Sequence, residues 1–323
     1  MQKINNKNFE KAKIAFKNYI DSKNIKEKLA QKLTDISTCY PGVFSKEINY
    51  IIDNLENLFY ADEAFIKQSV ETLSELNKEM LTTREHINDN NKKQCVAYEI
   101  RKIFENAYEY FSYKRYGSAI EFVDSLNIVA CPYCNLNSII IYDYRGYKVR
   151  PHLDHYYSKS LYPYLALSYR NLIPCCPVCN SELKGDKDFW IAQHCHPYFE
   201  NFDDIAEFIV DIYSPLIFSN PKTLHIDLVS KKYKQIYQLK LENIKSTFRL
   251  KIRYNSRPDS IIDELLKRKI YTQAYQDKLY KLLKNCGNDI SPKKFDNELK
   301  EYIFDANKIS KYPLAKLIKD ILA

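Results

Sequence analysis

Glycine is scarce in this chain, with five in 323 residues and none between Gly42 and Gly117. So few residues free of Cβ sterics argues against a turn-rich sheet protein and for much helix. No apolar run approaches the roughly 20 residues that a membrane-spanning helix needs. The opening MQKINNKNFEKAKIAFK also lacks the continuous apolar stretch of a secretory signal. The expectation is therefore a cytoplasmic protein with no membrane partner. In a reducing compartment a disulfide framework is not expected, so the nine cysteines need another purpose. Six of them fall between Cys131 and Cys195, and that clustering points to metal. Internal repeats and low-complexity tracts are absent as well. What is present is an ordinary globular composition, 45% hydrophobic and 14% aromatic, with 28 tyrosines and 16 phenylalanines. The length suits two modest domains, or one core wrapped in helical extensions.

The formal charge of +8 is unevenly spread: residues 231 to 284 hold 15 Lys and Arg against 5 Asp and Glu. A basic face of this kind suits a polyanion, because releasing phosphate counterions drives association. A lysine-rich solvated surface explains the same composition. Both readings stand at this level.

From residue 8 to about 125 apolar residues recur at helical spacing, as in EINYIIDNLENLFYADEAFIKQ and CVAYEIRKIFENAYEYFSYKR, which predicts four or five helices. Prolines then become frequent, 8 of the 12 lying between Pro132 and Pro221. That region holds two β-rich runs, 137–144 and 147–155, separated by Arg145-Gly146, and reads as a hairpin followed by a loop and a short helix after Cys179. Beyond about 203 comes a mixed segment and then charged helices. Three regions follow: 1–125 helical, 126–204 a compact middle domain, and 205–323 basic and mostly helical.

Cys131-Pro-Tyr-Cys134 and Cys176-Pro-Val-Cys179 each have the spacing that lets two thiolates of one tight turn reach a single tetrahedral zinc ion. The 41 residues between the pairs exceed the interval of a simple zinc ribbon, so a small structure must be inserted between the halves of the site. Either pair alone could be a redox CxxC, but two pairs bracketing a hairpin favour zinc. Cys175 offers a second possible ligand one residue early and is taken as a buried or spare thiol. A zinc ion with four thiolates is closed to water, so any chemistry must sit elsewhere.

Asp154 supplies a hard oxygen suited to Mg²⁺ or Mn²⁺, and the adjacent His155 can serve as a neutral base near physiological pH. Asn171 follows sixteen residues after His155, and Asn180 nine residues later, directly after the last CxxC cysteine. This succession, with NSELKGD after it, resembles the HNH (ββα-metal, His-Me finger) nuclease motif over residues 131 to 186. The resemblance implies His155 as general base, Asp154 and Asn180 as ligands of one divalent ion, and Asn171 as the residue that orients the loop. The third position is Asn180 rather than histidine, which favours Mg²⁺ over softer metals. It implies phosphodiester hydrolysis in DNA, with structural Zn²⁺ and catalytic Mg²⁺ or Mn²⁺. The CxxC pairs and YP-rich loop are similar to stand-alone HNH proteins of Septu-type and retron-linked anti-phage systems, which implies an antiviral role and an ATPase partner.

The expected fold is thus α+β and mainly α, with a zinc-stapled ββα core between two helical regions. Lys184, in LKGD, is a candidate phosphate contact or a solvated helix-end lysine. Arg249 and Arg253 share a face in helix or strand alike and are candidates for a nucleic-acid backbone clamp, with Tyr254 a candidate for stacking or for core packing. His194 and His196 suit packing or capping better than ligation. His152 shares a side-chain direction with Asp154 on the expected strand and is left outside the catalytic set. A ribonuclease acting on structured RNA such as tRNA, and a non-catalytic zinc-stabilised binding module, are the alternatives.

Overall fold

The structure, a computed structural model, describes residues 6–83, 88, 90–113, 118–144, 147–211, 224–259, 261–262, 273–287, 291, 294–295 and 312–322. Among these the chain is mainly helical, with three separate two-stranded antiparallel sheets. None of the described helices is long and apolar enough to cross a membrane. Contacts divide the chain into two units, Lys3–Ile128 with Ile139–Glu200 in one, and Val129–Ser138 with Asn201–Ala323 in the other.

The first unit opens with eight helices: α1 (Asn6–Ser22), α2 (Ile25–Cys39), α3 (Ser45–Asp53), α4 (Leu55–Tyr60), α5 (Glu63–Thr72), α6 (Ser74–Thr82), α7 (Lys92–Ser112) and α8 (Ser118–Leu126). The apolar period runs through the breaks, which is why it suggests four or five. Asn54 separates α3 from α4 and Leu73 separates α5 from α6, without glycine or proline to punctuate them. In α7 the buried Val96, Ile100, Phe104, Tyr108 and Phe111 recur every three or four residues, and the Asn91 side chain caps the first turn by accepting from the N–H groups of Lys93 and Gln94. Arg101, on the same helix, is buried and donates to the carbonyls of Met80 and Thr83 at the end of α6. A cation there meets the negative end of that helix's dipole. Phe16 lies at the centre of the aromatic core, its ring edge-on to Tyr60, Phe111 and Phe122. Burying each such side chain contributes roughly 1.5–3 kcal/mol.

Two hairpin-like pairings complete this unit, and they differ from the one expected. Strand β1 (Tyr142–Tyr144) pairs with β2 (Tyr147–Val149) across Arg145-Gly146, which lie outside the described residues. The pairing stops there: Pro151 has no N–H to give a ladder. Strand β3 (His152–His155) instead pairs with β4 (Leu172–Cys175), His152 opposite Cys175 and His155 opposite Leu172. A π-type helix, Val178–Lys184, follows β4 directly.

In the second unit, β5 (Ala206–Asp211) pairs with β6 (His225–Ser230), accompanied by α9 (Gln235–Thr247), α10 (Leu250–Asn255), α11 (Gln273–Asn285) and α12 (Ala315–Leu322). The segment around Cys131 and Cys134 is held in this unit. Tyr133 stacks on Phe248, the Tyr254 hydroxyl donates to the Cys134 carbonyl, and the Asn135 side chain accepts from the Lys316 N–H at the start of α12.

Candidate metal centre and active site

Cys131, Cys134, Cys176 and Cys179 are buried, and their sulfur atoms all lie within 4.8 Å of one another. That donor set, four buried thiols converging, fits a structural tetrahedral ion such as zinc. The first turn shows how the sequence prepares it. Asn135 takes a left-handed conformation (φ 52°), its N–H returns to the Cys131 carbonyl, and the Leu136 N–H then points at the Cys134 sulfur at 3.4 Å. Asparagine tolerates that region better than other residues bearing a Cβ. Cys175 is buried on β4 and lies outside the cluster, so Cys176 is the member from CCPVC.

A strand and a helix set the geometry of the second candidate site. Two residues along a strand advance about 6.6–6.8 Å, a step on the scale of one helical turn. The Val178–Lys184 helix uses that match against β3. Its Asn180 side-chain amide donates to Nδ1 of His152 (3.2 Å), and four residues later Lys184 reaches Asp154, Nζ to Oδ1 at 2.8 Å. Lys184 also donates to the His155 carbonyl at 2.6 Å. The lysine and the carboxylate are both almost wholly buried, 2% and 5% exposed at their side chains. The helix stops at Lys184 because Gly185 adopts φ 52°, ψ −126°, a backbone open essentially to glycine alone. Lys184 thus fulfils neither expectation: it faces no solvent, and its charge is taken by Asp154.

Alternation along β3 sends His155 the other way from Asp154. It is buried, its Nε2 lies 3.0 Å from the Ala166 carbonyl, and the Tyr108 ring stands edge-on to it at 4.3 Å. A carbonyl only accepts, so Nε2 carries the proton and Nδ1 keeps the lone pair. Burial, reinforced by the Lys159 charge, lowers its pKa to about 3. The imidazole is neutral at physiological pH.

Asn171 is fully buried and ties both ends of the intervening loop together. Its Oδ1 accepts from the Tyr157 N–H, while Nδ2 donates to the carbonyls of Tyr157 and Leu165. Leu165 precedes Ala166, whose carbonyl holds His155. The asparagine therefore sets the position of the imidazole's anchor.

The remaining candidates are dispersed. His194 stacks flat on Phe189 at 3.8 Å, and His196 lies among Tyr156, Tyr157 and Phe199 while its Nδ1 accepts from the Tyr198 N–H, so both are packing residues. Arg249 is exposed, in a left-handed conformation (φ 50°) ahead of α10, and Arg253 is half-buried with its guanidinium on the Phe248 carbonyl. Tyr254 is core, packed against Phe208. Part of the basic excess is neutralised locally, since Lys245 and Lys251 both pair with Asp227.

Sequence reasoning missed two things: His152 as a partner of Asn180, and Lys184 as a partner of Asp154. A signal for the first existed, because a strand places residues two apart on one face. Comparison with protein-family models, with curated proteins and with solved structures gave no match.

Proposed function

We propose that this protein is a metal-dependent endonuclease of the HNH type, hydrolysing phosphodiester bonds in DNA. The observation that supports it most is the succession β3, a loop tied by Asn171, β4, and a helix that brings Asn180 and Lys184 onto the Asp154 face. Asp154 and Asn180 are the residues that would hold Mg²⁺ or Mn²⁺. The Lys184 ammonium rests on Asp154, so a divalent ion would have to share that carboxylate with it or displace it. A divalent ion there would stabilise charge on the scissile phosphate and the departing oxygen. His155 contributes the base: neutral, fixed through Nε2, with Nδ1 free of a proton. Its low pKa makes it a reluctant acceptor, and an approaching phosphate anion would raise it by favouring the charged form. Asn171 positions the loop that positions His155. Zinc in the Cys131, Cys134, Cys176 and Cys179 cluster would have a structural role.

The resemblance to defence-system nucleases adds a cytoplasmic anti-phage role with an ATPase partner to this reading, and Arg249 and Arg253 remain its candidate backbone contacts. RNA is the alternative substrate, because none of these residues distinguishes the sugars. A second reading has an observation of its own. Asp154 and His155 are both buried and satisfied internally, by Lys184 and by the Ala166 carbonyl, as in a non-catalytic zinc-stabilised binding module.

The test incubates wild type and His155→Ala with plasmid DNA, single-stranded DNA and total tRNA, with Mg²⁺ or Mn²⁺. General-base catalysis is worth about 10²–10⁴-fold, so His155→Ala should retain at most about one per cent of the cleavage rate with its zinc content intact. Equal cleavage by both proteins would remove His155 from the chemistry. No cleavage by wild type in any arm, with or without a neighbouring-gene ATPase, leaves the binding module as the reading.

A further inference from the structure

The polar face of β3 carries a third donor that the nuclease motif does not use. His152 and Asp154 lie two residues apart and so on the same side of the strand. The helix opposite presents Asn180 to one and Lys184 to the other. His152 and Asn180 are half-buried, whereas Asp154 and Lys184 are buried, so this face opens to solvent at its His152 end. An ion arriving from solvent meets the imidazole and the amide first.

The spacing there is that of two ligands of one small cation. Oxygen and nitrogen ligands about 2.1 Å from an octahedral ion stand about 3 Å apart when adjacent. The His152 Nδ1 and Asn180 amide atoms are 3.2 Å apart. A half-turn of the amide exchanges Nδ2 for Oδ1 at nearly the same point, converting a donor to His152 into an oxygen ligand beside it. Nδ1 already points a lone pair at that position, since it accepts from the amide. Ser181 Oγ, 3.5 Å from the same nitrogen, adds a hydroxyl at the rim.

We propose that His152 is a protein ligand of the divalent cation, beside Asp154 and Asn180, and that it biases the site toward Mn²⁺ over Mg²⁺. The proposal rests on the reading that Asp154 and Asn180 hold a cation. The bias follows from ligand type: carboxylate and carbonyl oxygens suit Mg²⁺ and Mn²⁺ alike, while an imidazole nitrogen gains more with the transition metal. It reverses the preference that Asn180 alone would give.

The experiment binds Mn²⁺ to the zinc-loaded full chain without nucleic acid, following free Mn²⁺ by electron paramagnetic resonance and Mg²⁺ by competition. His152→Ala should weaken Mn²⁺ binding at least tenfold and Mg²⁺ binding less than about threefold, with zinc retained. His152→Asn, which restores an oxygen donor, should recover binding without the Mn²⁺ preference. Spin-echo spectra of the wild-type Mn²⁺ complex should show coupling to an imidazole ¹⁴N that both variants lack. Absence of that coupling in wild type, or its persistence in the variants, overturns the proposal whatever the variants' stability. If it is absent while Asp154→Asn abolishes Mn²⁺ binding, the cation site stands without His152. If wild type takes up no Mn²⁺, the cation site falls with the proposal.

Discussion

The two faces of strand β3 carry opposite chemistry. One holds His152 and Asp154, matched to Asn180 and Lys184, and every group on it donates to or attracts a charged or polar partner. The other holds Leu153 and His155, set against the Tyr108 ring and the Ala166 carbonyl. The difference teaches that adjacent residues in a DH pair need not work on the same side. Asp154 shares its face with the Lys184 ammonium, and His155 belongs to an uncharged wall whose tautomer is fixed by a backbone carbonyl.

Removing what lies beyond either face gives the largest expected effect. Cys176→Ser should lose the zinc and the cooperative fold around β4, since zinc bound by four thiolates is worth on the order of 10 kcal/mol. Cys175→Ser should keep the metal. Zinc content and thermal unfolding of the two variants decide it, and the opposite pattern would shift the ligand by one residue. Next comes the cation face. Lys184→Met strands Asp154 as a buried, unpaired charge and should cost about 3–5 kcal/mol. Millimolar Mn²⁺ should restore part of that loss if the carboxylate accepts an ion, and none if it does not.

The uncharged face is sharpened by pH. The unfolded chain's imidazole takes a proton near pH 6.5, whereas folded His155 resists protonation down to about 3. Between those values the unfolded state binds more protons, so the stabilisation is complete above about pH 6.5 and is lost as pH falls toward 3, at up to about 1.4 kcal/mol per pH unit. Urea midpoints of wild type and His155→Gln across pH 7 to 4, with a chelator for divalent ions other than the bound zinc, should converge as the pH falls. Parallel curves would mean that His155 is solvated. The smallest effect belongs to the basic segment. Arg249→Ala with Arg253→Ala should weaken nucleic-acid binding for all sequences alike and lower the salt slope by about two. An unchanged slope returns that face to ordinary solvated surface.

Sequence alone determined the features that are local in the chain. The CxxC pairs announce a four-cysteine cluster because each pair must fit one tight turn, and the helical period of residues 8–125 reflects burial of one face of each helix. The order Asp154, His155, Asn171, Asn180 was equally legible, and Asn171 bonds to Tyr157 and Leu165 in the loop between His155 and β4. Only the tertiary structure decided what lies across from what. Lys184 is polar and sits beside a glycine, so its surroundings in sequence left a phosphate contact and solvent equally open. Its burial depends on a helix turn matching a two-residue strand step thirty residues away in the chain. The same match joins His152 to Asn180, and β3 pairs with β4 rather than with the strand just before it. Spacing along a chain fixes which residues can share a turn or a face. Which face meets which is settled by packing of the whole unit, because that is where burying Lys184 and Asp154 together becomes less costly than leaving either alone.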